Sequence, residues 1–175
     1  MMFDPTVFEN LKVAIENQVY DLDNLDEIIR VTDRVDRLEL SVMAREFALQ
    51  FVLIDHPDIT AEIRLDTSLK DLAAEILEMP GETPACTLRI RFYMKIENPD
   101  SQCERIAEVV RKIWEPELPA VQTLSFEYGQ NRPIYQNTVE LRFNRRINED
   151  QMEDIPNLLD HMLQTLAKLG KLGKL

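Results

Sequence analysis

The sequence predicts an α+β fold: a mainly antiparallel sheet of about five to seven strands, with amphipathic helices packed on one face. Residues 85–97 (ACTLRIRFYMKIE) alternate apolar and polar side chains, which is typical of a strand with one buried face. Segments beginning near residues 5, 68, 101 and 148 place apolar residues at three- and four-residue steps, and this spacing predicts helices.

The strand at 85–97 has the clearest pattern in the chain. One side carries the apolar residues Leu88, Ile90, Phe92, Met94 and Ile96, and the other carries Arg89, Arg91, Tyr93, Lys95 and Glu97. Because successive strand side chains point to opposite faces of a sheet, the first set should face the core. The second set should face water or a polar partner.

Composition restricts the classes of function. At 175 residues the chain is long enough for one domain, which we place at 1–167. The net charge of −12 repels the phosphates of nucleic acids and anionic membrane surfaces. The 4 glycines form no phosphate-binding loop, and no apolar run approaches the roughly 18 to 20 residues that cross a bilayer. We therefore expect no cofactor, no nucleic acid and no membrane partner.

The cysteines and the N-terminal residues indicate in which cellular compartment the protein is expected. Cys86 and Cys103 are expected as buried free thiols, although a disulfide between them would suit an exported protein. The N-terminal residues contain neither a basic leader nor the apolar core of a signal peptide. A cytoplasmic location is the prediction.

The first helix has a predicted start, with Asp4 as N-cap, Pro5 at the first helical position and Phe3 packed against Phe8. Residues 19–43 fit a helix or strands, and strands are favoured because β-branched residues crowd the first part.

The middle of the chain predicts a compact strand–strand–helix unit. Residues 45–54 are apolar on both sides, as in a central strand, and 55–58 form a turn before a one-sided strand at 59–65. A helix follows at 68–79, and Pro80 ends it.

After the strand at 85–97, Ser101 and Glu104 predict a capping box for a helix that ends at Pro116. Strands are then predicted at 121–128 and 138–146, with Val139, Leu141 and Phe143 inward.

The last helix should begin near Asn148, and Pro156 should kink or restart it. The segments 45–79 and 121–167 both read as strand, strand and helix, which suggests a weak duplication. Two interior glycines in the tail at 168–175 predict that this basic segment frays.

One cluster of cations is the candidate binding site. If the strands at 85–97 and 138–146 are neighbours, the polar face of the sheet collects Arg89, Arg91, Tyr93, Lys95, Arg142 and Arg146. Such a surface could hold an anion, a nucleic acid backbone or an acidic partner. Alternatively, the arginines could pair across strands with Glu97, Glu127 and Glu140.

Other candidates for chemistry are weaker. The acidic residues Asp21, Asp23, Asp26, Asp33 and Asp36 are interpreted as solvated turn carboxylates rather than a site for a divalent cation. His56 and His161 have no serine or cysteine nucleophile nearby in the sequence, and no HExxH or CxxC motif occurs. We predict no catalytic residue and no metal ligand.

The predicted function is therefore a non-enzymatic one that depends on protein–protein contacts. The protein would be a scaffold or regulatory protein, and self-association as a homodimer is expected. The alternative is a small-ligand or anion-binding protein, or a hydrolase, whose pocket lies between sheet and helices with Arg89, Arg91 or His56 as polar anchors.

Overall fold

A computed structural model describes residues 6–81 and 83–172, and it confirms the predicted α+β class. The strands in this part of the chain are β1 (Ile29–Glu39), β2 (Ala44–Leu53), β3 (His56–Thr67), β4 (Thr87–Ile96), β5 (Val121–Ser125) and β6 (Tyr135–Arg142). The α-helices are α1 (Thr6–Asn24), α2 (Leu69–Ile76), α3 (Pro99–Trp114) and α4 (Ile155–Leu172), and a 3-10 helix at Glu149–Asp154 precedes α4.

The six strands form one antiparallel sheet in the order β1-β2-β3-β4-β6-β5. The strand predicted at 85–97 is β4, and it lies between β3 and β6. Its apolar side is buried as predicted, and residues of α1, α3 and α4 pack into the same core. Among the described residues, no helix combines the length and hydropathy needed to cross a membrane.

β2 confirms the prediction of a central strand that is buried on both faces. Phe47, Leu49 and Phe51 point into the core and are fully buried. On the opposite face, Ala48 and Val52 are only 2% and 3% exposed. The second face of β2 is therefore also buried at these two positions.

Residues 19–43 are divided between a helix and a strand. The strand prediction is right for β1 but wrong for 19–24, where α1 continues, and residues 40–43 form a turn. Tyr20 and Leu22 are partly buried against the core, so the apolar face of α1 extends beyond Val19. The predicted roles of Phe3, Asp4 and Pro5 lie outside the described residues.

The predicted capping box of α3 is wrong. The helix begins at Pro99 with Asn98 as N-cap, two residues before Ser101. Gln102 caps this end, because its Oε1 atom accepts hydrogen bonds from the backbone N–H groups of Glu97 (2.8 Å) and Asn98 (2.7 Å). Proline suits the first helical position since it has no N–H group to leave unpaired.

The strand predictions near the C-terminus extend too far along the chain, and the second strand also begins earlier than predicted, at Tyr135. β5 ends at Ser125 and β6 at Arg142, although Val139 and Leu141 face the core as predicted. Phe143, the third residue predicted to point inward, lies beyond β6 and is 38% exposed.

The C-terminal helix extends beyond the predicted domain boundary. The prediction that residues 168–175 fray is wrong for 168–172, which complete α4, and 173–175 lie outside the described part. Leu169 and Gly170 are buried, so the apolar face of α4 stabilises this last turn. Pro156 lies in the first turn, where the chain changes from 3-10 to α-helix, as the predicted restart requires.

Both predicted strand–strand–helix segments form, as β2–β3–α2 and β5–β6–α4. Their helices differ, because α2 has 8 residues and α4 has 18. A duplication of one ancestral unit stays a prediction.

Candidate functional site

The face of the sheet that points away from the core is the candidate functional site, and we call it the open face. Within the described residues, α1, α3 and α4 pack on the opposite side of the sheet, where the core lies. The strand register places these charged and aromatic side chains on the open face: Arg37, Glu46, Glu62, Arg64, Asp66, Arg89, Arg91, Tyr93, Lys95, Glu140 and Arg142.

Charges of opposite sign alternate across five strands of the open face. The series runs from Arg37 on β1 to Arg142 on β6, through Glu46, Arg64, Glu62, Arg91 and Glu140. Each carboxylate therefore lies between two guanidinium groups. This alternation holds the side chains in place before any partner binds.

Glu62 is the buried centre of the network, with only 3% of its surface exposed. Its carboxylate accepts hydrogen bonds from Gln50 Nε2 (2.7 Å) and the Tyr93 hydroxyl (3.0 Å). It also accepts from Arg64 Nη1 (3.3 Å), and Arg91 Nη1 lies 3.7 Å away. A buried carboxylate needs this many donors, because burial without partners would cost several kcal/mol.

The register explains which predicted pairs form. Glu140 pairs with Arg91 across strands, as the alternative predicted, and with Arg142 within β6, with Nε–Oε distances of 2.9 and 2.8 Å. Glu97 and Glu127 lie beyond the ends of β4 and β5, and neither pairs with these arginines. The partners on β2 and β3 were missed, because the alternation within β4 does not reveal which strand lies beside it.

Arg146 lies apart from the other predicted site residues. It follows the end of β6, forms an ion pair with Asp71, and donates a hydrogen bond from Nη2 to the backbone carbonyl of Ala85 (2.6 Å). The prediction that Arg146 lies with the other cations on the polar face of the sheet is therefore wrong. The prediction assumed that side chains continue to alternate between the two faces of the sheet after Arg142, but β6 ends at that residue.

Among the cations listed for the open face, Arg37 on β1 has a side chain that is 67% exposed, and three more exposed cations lie on β4 and β6. Arg89 and Arg142 face each other in register on β4 and β6, and their side chains are 43% and 57% exposed. Arg89 Nη1 lies 4.0 Å from Asp66, which is the outer limit of an ion pair. Lys95 is exposed near the end of β4. Like charges placed directly opposite each other repel, and this pair of arginines is suited to an incoming carboxylate.

Glu140 gives the network a pH dependence. Burial opposes its charged form, but hydrogen bonds from Arg142 and Arg91 outweigh burial and lower its pKa below the ordinary 4.5. A carboxylate with a lowered pKa stabilises the folded state above its unfolded-state pKa, and this contribution disappears as the pH falls through the folded-state pKa. We expect the free energy of unfolding, measured in urea, to fall more between about pH 6 and about pH 3 in wild-type protein than in Glu140→Gln. Equal losses in the two proteins would contradict this role.

A cavity of about 500 Å³ opens where β3 separates from β4. The last paired residues of these two strands are Thr60 and Tyr93, and at the same point residues 57–59 of β3 form an irregularity in the pairing with β2. The apolar wall of the cavity includes Ile59, Met94, Ile96 and Ile106. Its polar rim includes Asp55, His56, Asp58, Lys95 and Arg105. His56 thus lines a cavity between sheet and helices, whereas Arg89 and Arg91 do not line it.

A second cavity, of about 480 Å³, lies against Trp114. The Trp114 ring centroid is 6.4 Å from that of Phe143 and 5.4 Å from that of His161. The Trp114 indole N–H donates to Thr165 Oγ1 (2.8 Å), which orients the ring. These residues come from α3, α4 and the segment after β6. Their distance in the sequence is why they were not predicted as a group.

The interpretation of the acidic residues as turn carboxylates is wrong for all but Asp26, because Asp21 and Asp23 lie in α1 and the other two lie in β1. Asp23 Oδ2 accepts from the backbone N–H of Val31 (2.9 Å), and Asp33 Oδ1 accepts from that of Arg34 (2.9 Å). Asp36 lies under α1, 2.6 Å from Lys12 Nζ. Within the described part of the chain, no group of three or more His, Cys, Asp or Glu residues is arranged to hold a metal ion.

Both cysteines are free thiols. Cys86 is buried, and burial together with Asp71 and Glu75 raises its thiol pKa to about 12. Cys103 is partly buried on α3, and burial also raises its pKa. Thiols with raised pKa values are weak nucleophiles, so neither cysteine has the properties of a catalytic one.

The geometry of the site is the only guide to function, because comparison of the chain with models of protein families, with curated proteins and with solved structures finds no match in any of the three.

Proposed function

We propose that the protein acts through protein–protein contacts, as a non-enzymatic scaffold or regulatory protein that binds an acidic partner on its open face and self-associates as a homodimer. The observation that carries the proposal is the pair Arg89 and Arg142, which face each other with the same charge and remain exposed. A partner carboxylate between them would relieve their repulsion and form charge-assisted hydrogen bonds.

The centre of the open face supports this role. Glu62, Glu140 and Arg91 already hold one another in position, so binding would cost little side-chain entropy there. The partner would gain contact area over the ordered centre and charge complementarity from Arg89, Lys95 and Arg142. Arginine is enriched among the residues that contribute most to protein interfaces.

The overall charge of −12 repels an acidic partner at long range, but salt screens this repulsion. At physiological ionic strength, exposed charges separated by more than about 8 Å are largely screened from each other. A short acidic segment on the open face therefore responds mainly to the nearby cations. We propose that this interaction takes place in the cytoplasm, and the free thiols of Cys86 and Cys103 support a reducing compartment.

The test is quantitative affinity capture from an extract of the cells that make the protein. The Arg89→Glu/Arg142→Glu variant should lose a partner that wild-type protein retains, with a fall of about tenfold or more, since like charges across an interface cost several kcal/mol. The matched control is Lys70→Glu/Lys112→Glu, which makes the same charge change on the exposed surfaces of α2 and α3. Retention of every partner by the first variant would overturn the proposal.

A second candidate is a small-ligand binding protein, and the cavity between β3 and β4 favours it. Its volume is in the range of ligand pockets, and it combines an apolar wall with His56, Lys95 and Arg105. Thermal unfolding should be measured with organic anions, nucleotides and divalent metals. A rise in Tm with one class that disappears in Lys95→Ala/Arg105→Ala would support the candidate, and a flat response to all classes would count against it.

A further inference from the structure

The two edge strands of the sheet are protected to very different degrees. The edge strand β1 carries six charged residues, namely Arg30, Asp33, Arg34, Asp36, Arg37 and Glu39. Its pairing with β2 is also interrupted by a bulge between Val31 and Asp33. Charges and bulges on an edge strand hinder pairing with another chain, so β1 is a protected edge.

The edge strand β5 has neither charged residues nor a bulge. Residues 121–125 (VQTLS) contain no charged residue and no proline, although 30% of the whole chain is charged. The strand pairs regularly with β6 on one side. Within the described residues, no strand pairs with its other side. The backbone groups on this outer edge are therefore available to another strand.

Exposed apolar residues lie at both ends of β5. Val121 opens the strand and is exposed, and the segment that joins β5 to β6 exposes Phe126 (60%), Tyr128 (100%) and Ile134. Phe126 contacts the ring of Tyr135 on β6 at 5.3 Å between centroids, which holds it next to the C-terminal end of β5. This group of apolar side chains is a typical component of a protein interface.

We propose that β5 pairs in antiparallel orientation with β5 of a second copy of this chain, with the two-fold axis at Thr123. The two six-stranded sheets then become one continuous sheet. In this register Thr123 lies opposite Thr123 of the second copy, and Val121 lies opposite Ser125. Phe126 comes to lie opposite Ala120, where its exposed ring gains an apolar neighbour.

The chemistry of β5 favours a second copy over a foreign peptide. A two-fold interface must be complementary to itself, and an uncharged strand meets this condition, since no side chain faces a like charge. Threonine pairs directly across antiparallel strands are favourable. The inference rests on the self-association in the proposed function and is independent of any partner on the open face. Because the strand has only five residues, we expect a reversible dimer.

The test measures mass against concentration by sedimentation equilibrium. Wild-type protein should change from one chain to two as its concentration rises. Thr123→Lys should weaken dimerisation by about tenfold or more, because it places two ammonium groups opposite each other. Thr123→Glu should do the same, and an equal mixture of the two variants should restore the dimer through opposite charges. The matched control Thr32→Lys, on the protected edge, should dimerise like wild type.

Several results would overturn the inference: a one-chain mass for wild type at every concentration, an unchanged dimer in Thr123→Lys, or no recovery in the mixture of folded variants. Circular dichroism of each variant alone identifies loss of folding. The open-face proposal is tested separately, because Thr123→Lys should still retain the partner that Arg89→Glu/Arg142→Glu loses.

Discussion

We expect the Glu62→Ala variant to lose about 3 kcal/mol of unfolding free energy, because removal of one partner from a buried ionic network leaves the others uncompensated. In this protein Arg64 and Arg91 would lose a carboxylate between them, and Tyr93 and Gln50 would each lose a hydrogen-bond acceptor. Burial and the nearby Arg91 oppose the charged form of Arg64 and lower its pKa, and loss of Glu62 would leave Glu46 as its ion-pair partner.

Urea denaturation at neutral pH measures this loss. The control is Glu97→Ala, which removes an exposed carboxylate just after β4 and should change stability by less than about 0.5 kcal/mol. Comparable small changes in both variants would mean that the network does not need Glu62. The centre of the open face would then not be ordered in the way the proposed function requires.

We expect Gly170→Ala to lower the free energy of unfolding by about 1–2 kcal/mol, although alanine normally stabilises a helix interior relative to glycine. A Cβ atom at this position would lie 2.4 Å from Cγ and 2.6 Å from Nδ1 of His56. The imidazole packs directly on the backbone of α4, so the added methyl group would force the ring or the helix to move.

A double-mutant cycle tests this contact. In a His56→Ala background the space is empty, and Gly170→Ala should then be neutral or stabilising. The difference between the two backgrounds measures the clash, and urea denaturation of the four proteins provides it. An equal effect of Gly170→Ala in both backgrounds would show that His56 does not restrict this position.

Local patterns predicted most of the secondary structure. The two-residue period of β4 and the three- and four-residue steps of α1, α3 and α4 depend only on which side chains leave water. The patterns were less informative at the ends of elements. The first turn of α3 depends on Gln102 rather than the predicted capping box, and the last turn of α4 depends on the buried Leu169.

The candidate site was predicted in part. The sequence by itself determined that Arg89, Arg91, Tyr93 and Lys95 share one face of a strand, because side-chain direction follows from position along the strand. Only the tertiary structure decided that β4 lies between β3 and β6, and this order pairs Arg91 with Glu62 and Glu140. The contact between His56 and Gly170 was decided in the same way. Pairing of strands and helices that are distant in the sequence depends on how the whole core packs, and no periodicity within one element records it.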